Sequence, residues 1–171
     1  MSVSPQDFDF DAWLDGAERT ERGVTVYQRA GLIADLDLLS EQIVNADQDD
    51  EADGPSMGGG AGRLRAKYAE LAQQFHDSAL HLRIRAMDEY EQVELRKTNP
   101  DLSPSDFGYL VISEAITSHK ITPGQLRKMN ERIGELQFGR IFETFNQANT
   151  EAPSVSADFL PKSSTPGDGG E

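Results

Sequence analysis

Cysteine is absent from the 171 residues. No disulfide scaffold, cysteine-based zinc site, thiol nucleophile or iron–sulfur cluster is therefore possible. A cysteine-free chain fits a reducing compartment. Basic residues are scarce: 16 Lys and Arg stand against 30 Asp and Glu, a net charge of −14. Phosphate binding needs a basic surface, so free nucleic acid and an anionic membrane surface are poor partners. Long apolar runs are missing too, and nothing spans a membrane. The first ten residues carry no basic segment followed by an apolar one, so no secretory signal is expected there.

A chain of this length suits one domain with tails, and folding it buries roughly 70% of the unfolded surface, enough for a real core. Its charge is unevenly spread. Residues 1–60 hold 14 acids and three bases, residues 61–150 hold 12 of each, and residues 151–171 hold four acids and one lysine. Glycine clusters at 54–62 and 167–170. Three zones follow: an acidic arm at 1–21, a folded body at 22–150 interrupted by an acidic, glycine-rich flexible loop at 46–62, and a disordered tail at 151–171.

Strict alternation predicts two strands. In Gly23–Arg29, Val24 and Val26 point one way, Thr25 and Tyr27 the other; in Leu80–Arg85, Leu80, Leu82 and Ile84 oppose His81, Arg83 and Arg85. Between them lie two helical stripes with the same 4-3-4 spacing, Leu32, Leu36, Leu39, Ile43 and Leu64, Tyr68, Leu71, Phe75. Packing stripe on stripe makes a helical hairpin, returns the chain to its start and lets the strands pair antiparallel.

Later segments read as helices. One runs over Asp88–Lys97, and another starts at a Ser105 cap and runs to about Ser118, with Phe107, Leu110, Val111 and Glu114 as its stripe. A third opens at Thr122-Pro123, with Leu126, Met129, Ile133 and Leu136 on one face and Gly134 as a possible break. A last apolar helix carries Phe138, Ile141, Phe142 and Phe145. The expected fold is mainly α with a small two-stranded antiparallel β element (α+β), a helical hairpin followed by a compact helical C-terminal bundle.

Signatures of chemistry are few. His76, His81 and His119 sit in no metal-ligand spacing. The run Asp49-x-Glu51-x-Asp53-Gly54 begins like a calcium loop, but the position needing a bidentate glutamate is Gly60. The glycines at 58–62 are followed by Arg63-Leu64 instead of the Lys-Ser/Thr of a phosphate loop. No catalytic, metal or cofactor-binding residue is assigned, no cofactor is expected, and enzymatic activity is not. Two features suit a protein partner. Phe8, Phe10, Trp13 and Leu14 are interleaved with Asp7, Asp9, Asp11 and Asp15, which fits a segment that orders on a partner or one that packs Trp13 onto its own body. Phe138 and Phe142 belong to a dense apolar stripe, more often core than groove, part of which a short body can expose.

The order of elements resembles the tail assembly chaperones of long-tailed, siphovirus-type phages of actinobacteria. The likeness runs over roughly residues 7–164. It is carried by Asp7-Phe-Asp-Phe-Asp-Ala-Trp13, Gly23-Val-Thr-Val-Tyr27, Leu80-His-Leu-Arg-Ile-Arg-Ala86, Ile121-Thr-Pro-Gly-Gln-Leu126, Ile133-Gly-Glu-Leu-Gln-Phe138 and Asn146-Gln-Ala-Asn149, with a tail like Pro153–Ser164. The resemblance implies a non-enzymatic factor that binds the phage tape measure protein in many copies and keeps it soluble while the tail tube protein polymerises around it. It implies action in the host cell cytoplasm and absence from the mature virion. Such families also make a frameshift-extended form, and Gly169-Gly170-Glu171 suits a slippery coding run. The alternatives are a structural tail or connector protein retained in the virion, an acidic DNA mimic that inhibits a nucleic-acid enzyme, and a small enzyme. A mimic needs charge across a rigid face, whereas residues 61–150 are neutral.

Overall fold

The computed structural model describes residues 8–53 and 60–155. The first seven residues of the arm, the tip of the glycine-rich loop at 54–59 and the tail from 156 onward lie outside the described residues. The elements run α1 (Phe10–Asp15), β1 (Glu21–Tyr27), α2 (Leu32–Asp53), α3 (Gly60–Asp77), β2 (Ala79–Arg85), α4 (Glu89–Thr98), α5 (Pro104–Ala115), α6 (Pro123–Ile133) and α7 (Glu135–Thr150). The fold is mainly α with one two-stranded antiparallel ribbon, as the periodicities require.

In the ribbon, Glu21 lies opposite Arg85, Val24 opposite Leu82 and Tyr27 opposite Ala79. Residues directly opposite share a face, so Val24, Val26, Leu80, Leu82 and Ile84 make one apolar surface. Thr25, His81, Arg83 and Glu21 make the other, with an Arg83–Glu21 ion pair of 2.6 Å. Two strands alone are marginal in water. Here the apolar face is covered by α7, whose Phe138, Ile141 and Phe145 are buried against it. Helix α5 adds Val111, Ile112 and Ala115, and α6 adds Leu126.

The ribbon's open hydrogen-bonding groups are partly closed. Ile116 bridges to Ile84, and the Thr117 N–H donates to the Arg83 carbonyl at 2.9 Å. At the far end the Gln137 side chain imitates a strand: its Oε1 accepts from the Tyr27 N–H at 2.8 Å and its Nε2 donates to the Tyr27 carbonyl at 3.1 Å. Unpaired backbone groups at a buried edge are costly, and one amide side chain satisfies two of them.

Helix starts follow their caps. Thr122 accepts from the Gln125 N–H, Gln125 accepts from the Thr122 N–H, and Pro123 takes the first turn, where no N–H is needed. The cap of α5 is Ser103 and not Ser105, because Pro104 fits the first turn and Ser103 Oγ accepts from the Asp106 N–H at 3.1 Å. Its buried face is Val111, Ile112 and Ala115, leaving Glu114 exposed, and it ends at Ala115 because Ile116 turns into the bridge with Ile84. Gly134, at φ +84°, ends α6 and opens α7. That break resets the helical register, so Leu136 does not continue the α6 stripe and is 92% exposed.

Helices α2 and α3 extend into the stretch expected as a loop, reaching Asp53 and starting at Gly60. The eight acids and no bases of α2 concentrate towards its C-terminal end, and Arg63, Arg65 and Lys67 lie near the start of α3. Each set opposes its own helix dipole. Arg65 pairs with Asp47 at 2.6 Å. The stripe of Leu32, Leu36, Leu39 and Ile43 turns towards α3, with Leu39 buried.

The hairpin joins the rest at its base. Tyr27 stacks on Phe75 at 4.2 Å between ring centroids, the Gln28 N–H donates to the Ser78 carbonyl at 3.0 Å, and Arg29 donates to Gln74 at 2.7 Å. No residue of α2 or α3 belongs to the main core cluster.

This layout predicts unequal responses to truncation. Ile141, fully buried, should cost about 3 kcal/mol when changed to Ala, since deep core truncations cost roughly 2–5 kcal/mol. Leu136→Ser should stay within about 0.5 kcal/mol, the usual range for exposed positions. Urea melts of the two variants check the contrast, and equal losses would contradict the reset register.

Candidate partner-binding site

The arm is a short helix between well-defined ends. Asp9 caps α1 by accepting from the Ala12 N–H at 3.0 Å, and Gly16 closes it. Its apolar residues do not pack on the body. Phe10 stacks on Trp13 at 5.8 Å and 15° between planes, and Phe8 lies 6.4 Å from Phe10, tilted. Phe8, Phe10, Trp13 and Leu14 are 53, 58, 55 and 48% exposed. Of the two roles the arm's sequence allowed, packing Trp13 on the chain's own body is not the one observed.

Behind the arm lies a charge cluster at the start of β1. Arg19 reaches the start of α4, where one guanidinium nitrogen pairs with Asp88 at 2.9 Å and the other with Glu91. Asp88 is also the α4 cap, and it and Glu91 form a reciprocal capping box. The Glu91 backbone N–H donating to Asp88 is the main reason its carboxyl titrates below the usual 3.8, and the nearby Arg19 charge adds to the effect. Arg85 joins the same cluster through Glu91 at 3.1 Å.

The other two aromatics separate. Phe138 is 3% exposed, packs against Tyr109 and Phe142, and belongs to the core, so it is not a surface contact for a partner. Phe142 is 36% exposed, meeting Phe138 edge-on and lying beside Gly108. One turn of α7 thus carries a buried and a partly exposed phenylalanine, according to which side faces the ribbon.

Sequence reasoning passed over two features. The Arg19 clamp joins residues far apart in the chain, and no local pattern announces it. The outer side of α2 holds Ile33, Leu38 and Val44, exposed at 47, 54 and 52%. Their signal was present: all three fall off the 4-3-4 stripe.

The clefts hold no convergent reactive set. One, about 540 Å³, is lined by Arg19, Arg83, Arg85, Glu18, Glu21 and Thr117, among others, and its three arginines are each paired with carboxylates. A more apolar cleft of about 440 Å³ lies between the ribbon's Tyr27 end and α6, beside Met129 and Ile133. The histidines have ordinary partners: His81 Nδ1 lies 2.8 Å from Thr25 Oγ1, His119 bonds Ser118, and His76 lies edge-on to Phe75. Among the described residues no group of three or more His, Asp or Glu is placed to hold a metal ion, and no helix is long and apolar enough to cross a membrane. Comparison with known protein families, with curated proteins and with solved structures finds no match to this chain.

The clamp makes a pH prediction. Asp88 titrates lower in the folded chain than in the unfolded one, so its contribution is complete above about pH 4 and is lost as pH falls through the depressed value. Trp13 is the one tryptophan, so its emission anisotropy reports the arm. Arg19→Ala should lower that anisotropy at pH 7, and acidification through the depressed Asp88 value should lower it in the parent chain. Unchanged anisotropy in the variant would show that something else holds the arm.

Proposed function

We propose that this protein is a non-enzymatic assembly factor that binds a long helical polypeptide and keeps it soluble, acting as a tail assembly chaperone on a phage tape measure protein. The observation that supports this best is the arm: Phe8, Phe10, Trp13 and Leu14 are each about half exposed, Phe10 stacks on Trp13 with Phe8 beside it, and Asp9, Asp11 and Asp15 flank them. Aromatic side chains are the commonest energetic anchors of protein interfaces. The flanking acids keep such a strip soluble until a partner covers it.

Amphipathic helices aggregate unless their apolar stripes are covered. A chain with net charge −14 that presents apolar side chains on outlying elements lends a client both cover and charge. Many copies spread along one client raise the avidity of individually modest contacts. In this reading the chain acts in the host cytoplasm, leaves before the virion is complete, and works beside the tail tube protein and its own frameshift-extended form.

Co-expression with the tape measure protein of the neighbouring reading frame tests the proposal. The client should become soluble and co-purify with several copies of the chain. The double variant Phe10→Ser/Trp13→Ser should keep its melting midpoint and bind at least about 30-fold more weakly, the loss expected for a hot spot worth 2 kcal/mol. An insoluble, unbound client would overturn the reading. Recovery of the chain from purified virions would favour a retained tail or connector subunit instead.

A further inference from the structure

The hairpin buries little for its length. Helix α2 has 22 residues and α3 has 18, yet their buried side chains among the described residues are Leu39 and Ala61. No third helix packs along either one among the described residues. Stable helical bundles bury an apolar seam on more than one neighbour, and α2 has one neighbour.

The outer side of α2 is patterned. Ile33, Asp37, Glu41 and Val44 follow one another at spacings of four, four and three, so they form one row. Leu38 lies one turn before Glu41, to one side of the row. All five are exposed. The result is an apolar strip with two carboxylates in its middle. No base occurs anywhere in α2.

Charge decides what covers this strip. The hairpin carries eight acids on α2, and two acids against three bases on α3, a net of −7. A second copy would bring another −7 against the first, and like charges brought together in an interface oppose association. The chain's own arm is acidic as well. It also leaves the ribbon at the Glu21 end, whereas the hairpin leaves at the Tyr27 end, about 20 Å away for a strand of seven residues. A helix with bases beside its apolar stripe meets both demands of the strip, apolar cover and neutralising charge.

We infer that the outer face of α2, the row Ile33–Asp37–Glu41–Val44 with Leu38 to one side, is a docking surface for a basic amphipathic helix of another polypeptide, which gives α2 the second helical neighbour that it lacks. The inference rests on the reading that the chain covers a helical client, and it gives that client a chemical signature: helical segments with Lys or Arg flanking the apolar stripe. The arm and the hairpin then grip at opposite ends of the ribbon.

The test uses the full chain and an 18-residue, tryptophan-free helical peptide of Leu stripe with Lys on both flanks, a length of about 27 Å. Binding is read by calorimetry. The Lys peptide should bind, a Glu-flanked counterpart should not, and raising salt from about 0.05 to about 0.5 M should weaken binding several-fold as charges are screened. Asp37→Lys/Glu41→Lys should weaken it at least about tenfold, while Phe10→Ser/Trp13→Ser leaves it unchanged. Both acids are exposed, and an unchanged helical spectrum verifies that the charge-reversed chain folds. Absence of peptide binding, or binding indifferent to the charge reversal, overturns the inference. So does concentration-dependent dimerisation of the parent chain that Ile33→Ser/Val44→Ser abolishes, since the face then belongs to a second copy. The two readings fail separately. A client that co-purifies equally with parent and charge-reversed chains removes the hairpin surface and leaves the chaperone reading standing. A client that binds neither removes the chaperone reading.

Discussion

Two strands with one apolar face cannot stay folded in water unless something lies on that face. Here α7 does, by laying Phe138, Ile141 and Phe145 against Val24, Val26, Leu82 and Ile84. Helices α5 and α6 close the remaining sides, and Gln137 caps the end of β1 in place of a third strand. Everything else hangs from this ribbon. The hairpin is the connection between its strands, entered after Tyr27 and left before Ala79. The arm leaves from the other end, where Arg19 pairs with Asp88 and Glu91. One packed unit thereby sets the positions of two outlying, acidic elements.

The energetics of those elements differ from the core's. In the core, burial of aliphatic and aromatic side chains supplies the stability, and each removed methylene costs about 1 kcal/mol. The hairpin relies on a half-buried seam and on exposed ion pairs such as Arg65–Asp47, which are worth little each. Segments with few buried contacts open at lower free energy than the core they flank. A region of that kind is suited to gaining a partner, because a new helix supplies the burial that it lacks. The same holds for the arm, whose aromatics stack only on one another among the described residues.

Much of this fold was legible in the residues, for identifiable reasons. Alternation over Gly23–Tyr27 and Leu80–Arg85 marks the strands, because one face must be apolar and the other polar. Thr122-Pro123 and Gly134 punctuate the chain through backbone chemistry that needs no tertiary context. What was not legible depended on partners distant in sequence. The acidic run after Ile43 reads as loop until Arg65 stands opposite Asp47. Phe138 and Phe142 look alike in one stripe, and the side of α7 that meets the ribbon separates them. Of the candidate site, the arm's aromatics were visible as aromatics among acids, but their exposure was not. The outer row of α2 is not legible locally, because Ile33, Leu38 and Val44 fall between the members of the inward stripe and only the absence of a second neighbour leaves them exposed.

The central claim is that the ribbon and its helices form one cooperative unit from which the hairpin opens independently. Native-state hydrogen exchange on the full chain tests it most directly. Amides in the middle of α2 and α3 should exchange at least about 100-fold faster than those of β1, β2 and α7, a gap of roughly 3 kcal/mol in opening free energy. Equal protection of hairpin and ribbon would contradict the account, since it would make α2 and α3 part of the same cooperative core.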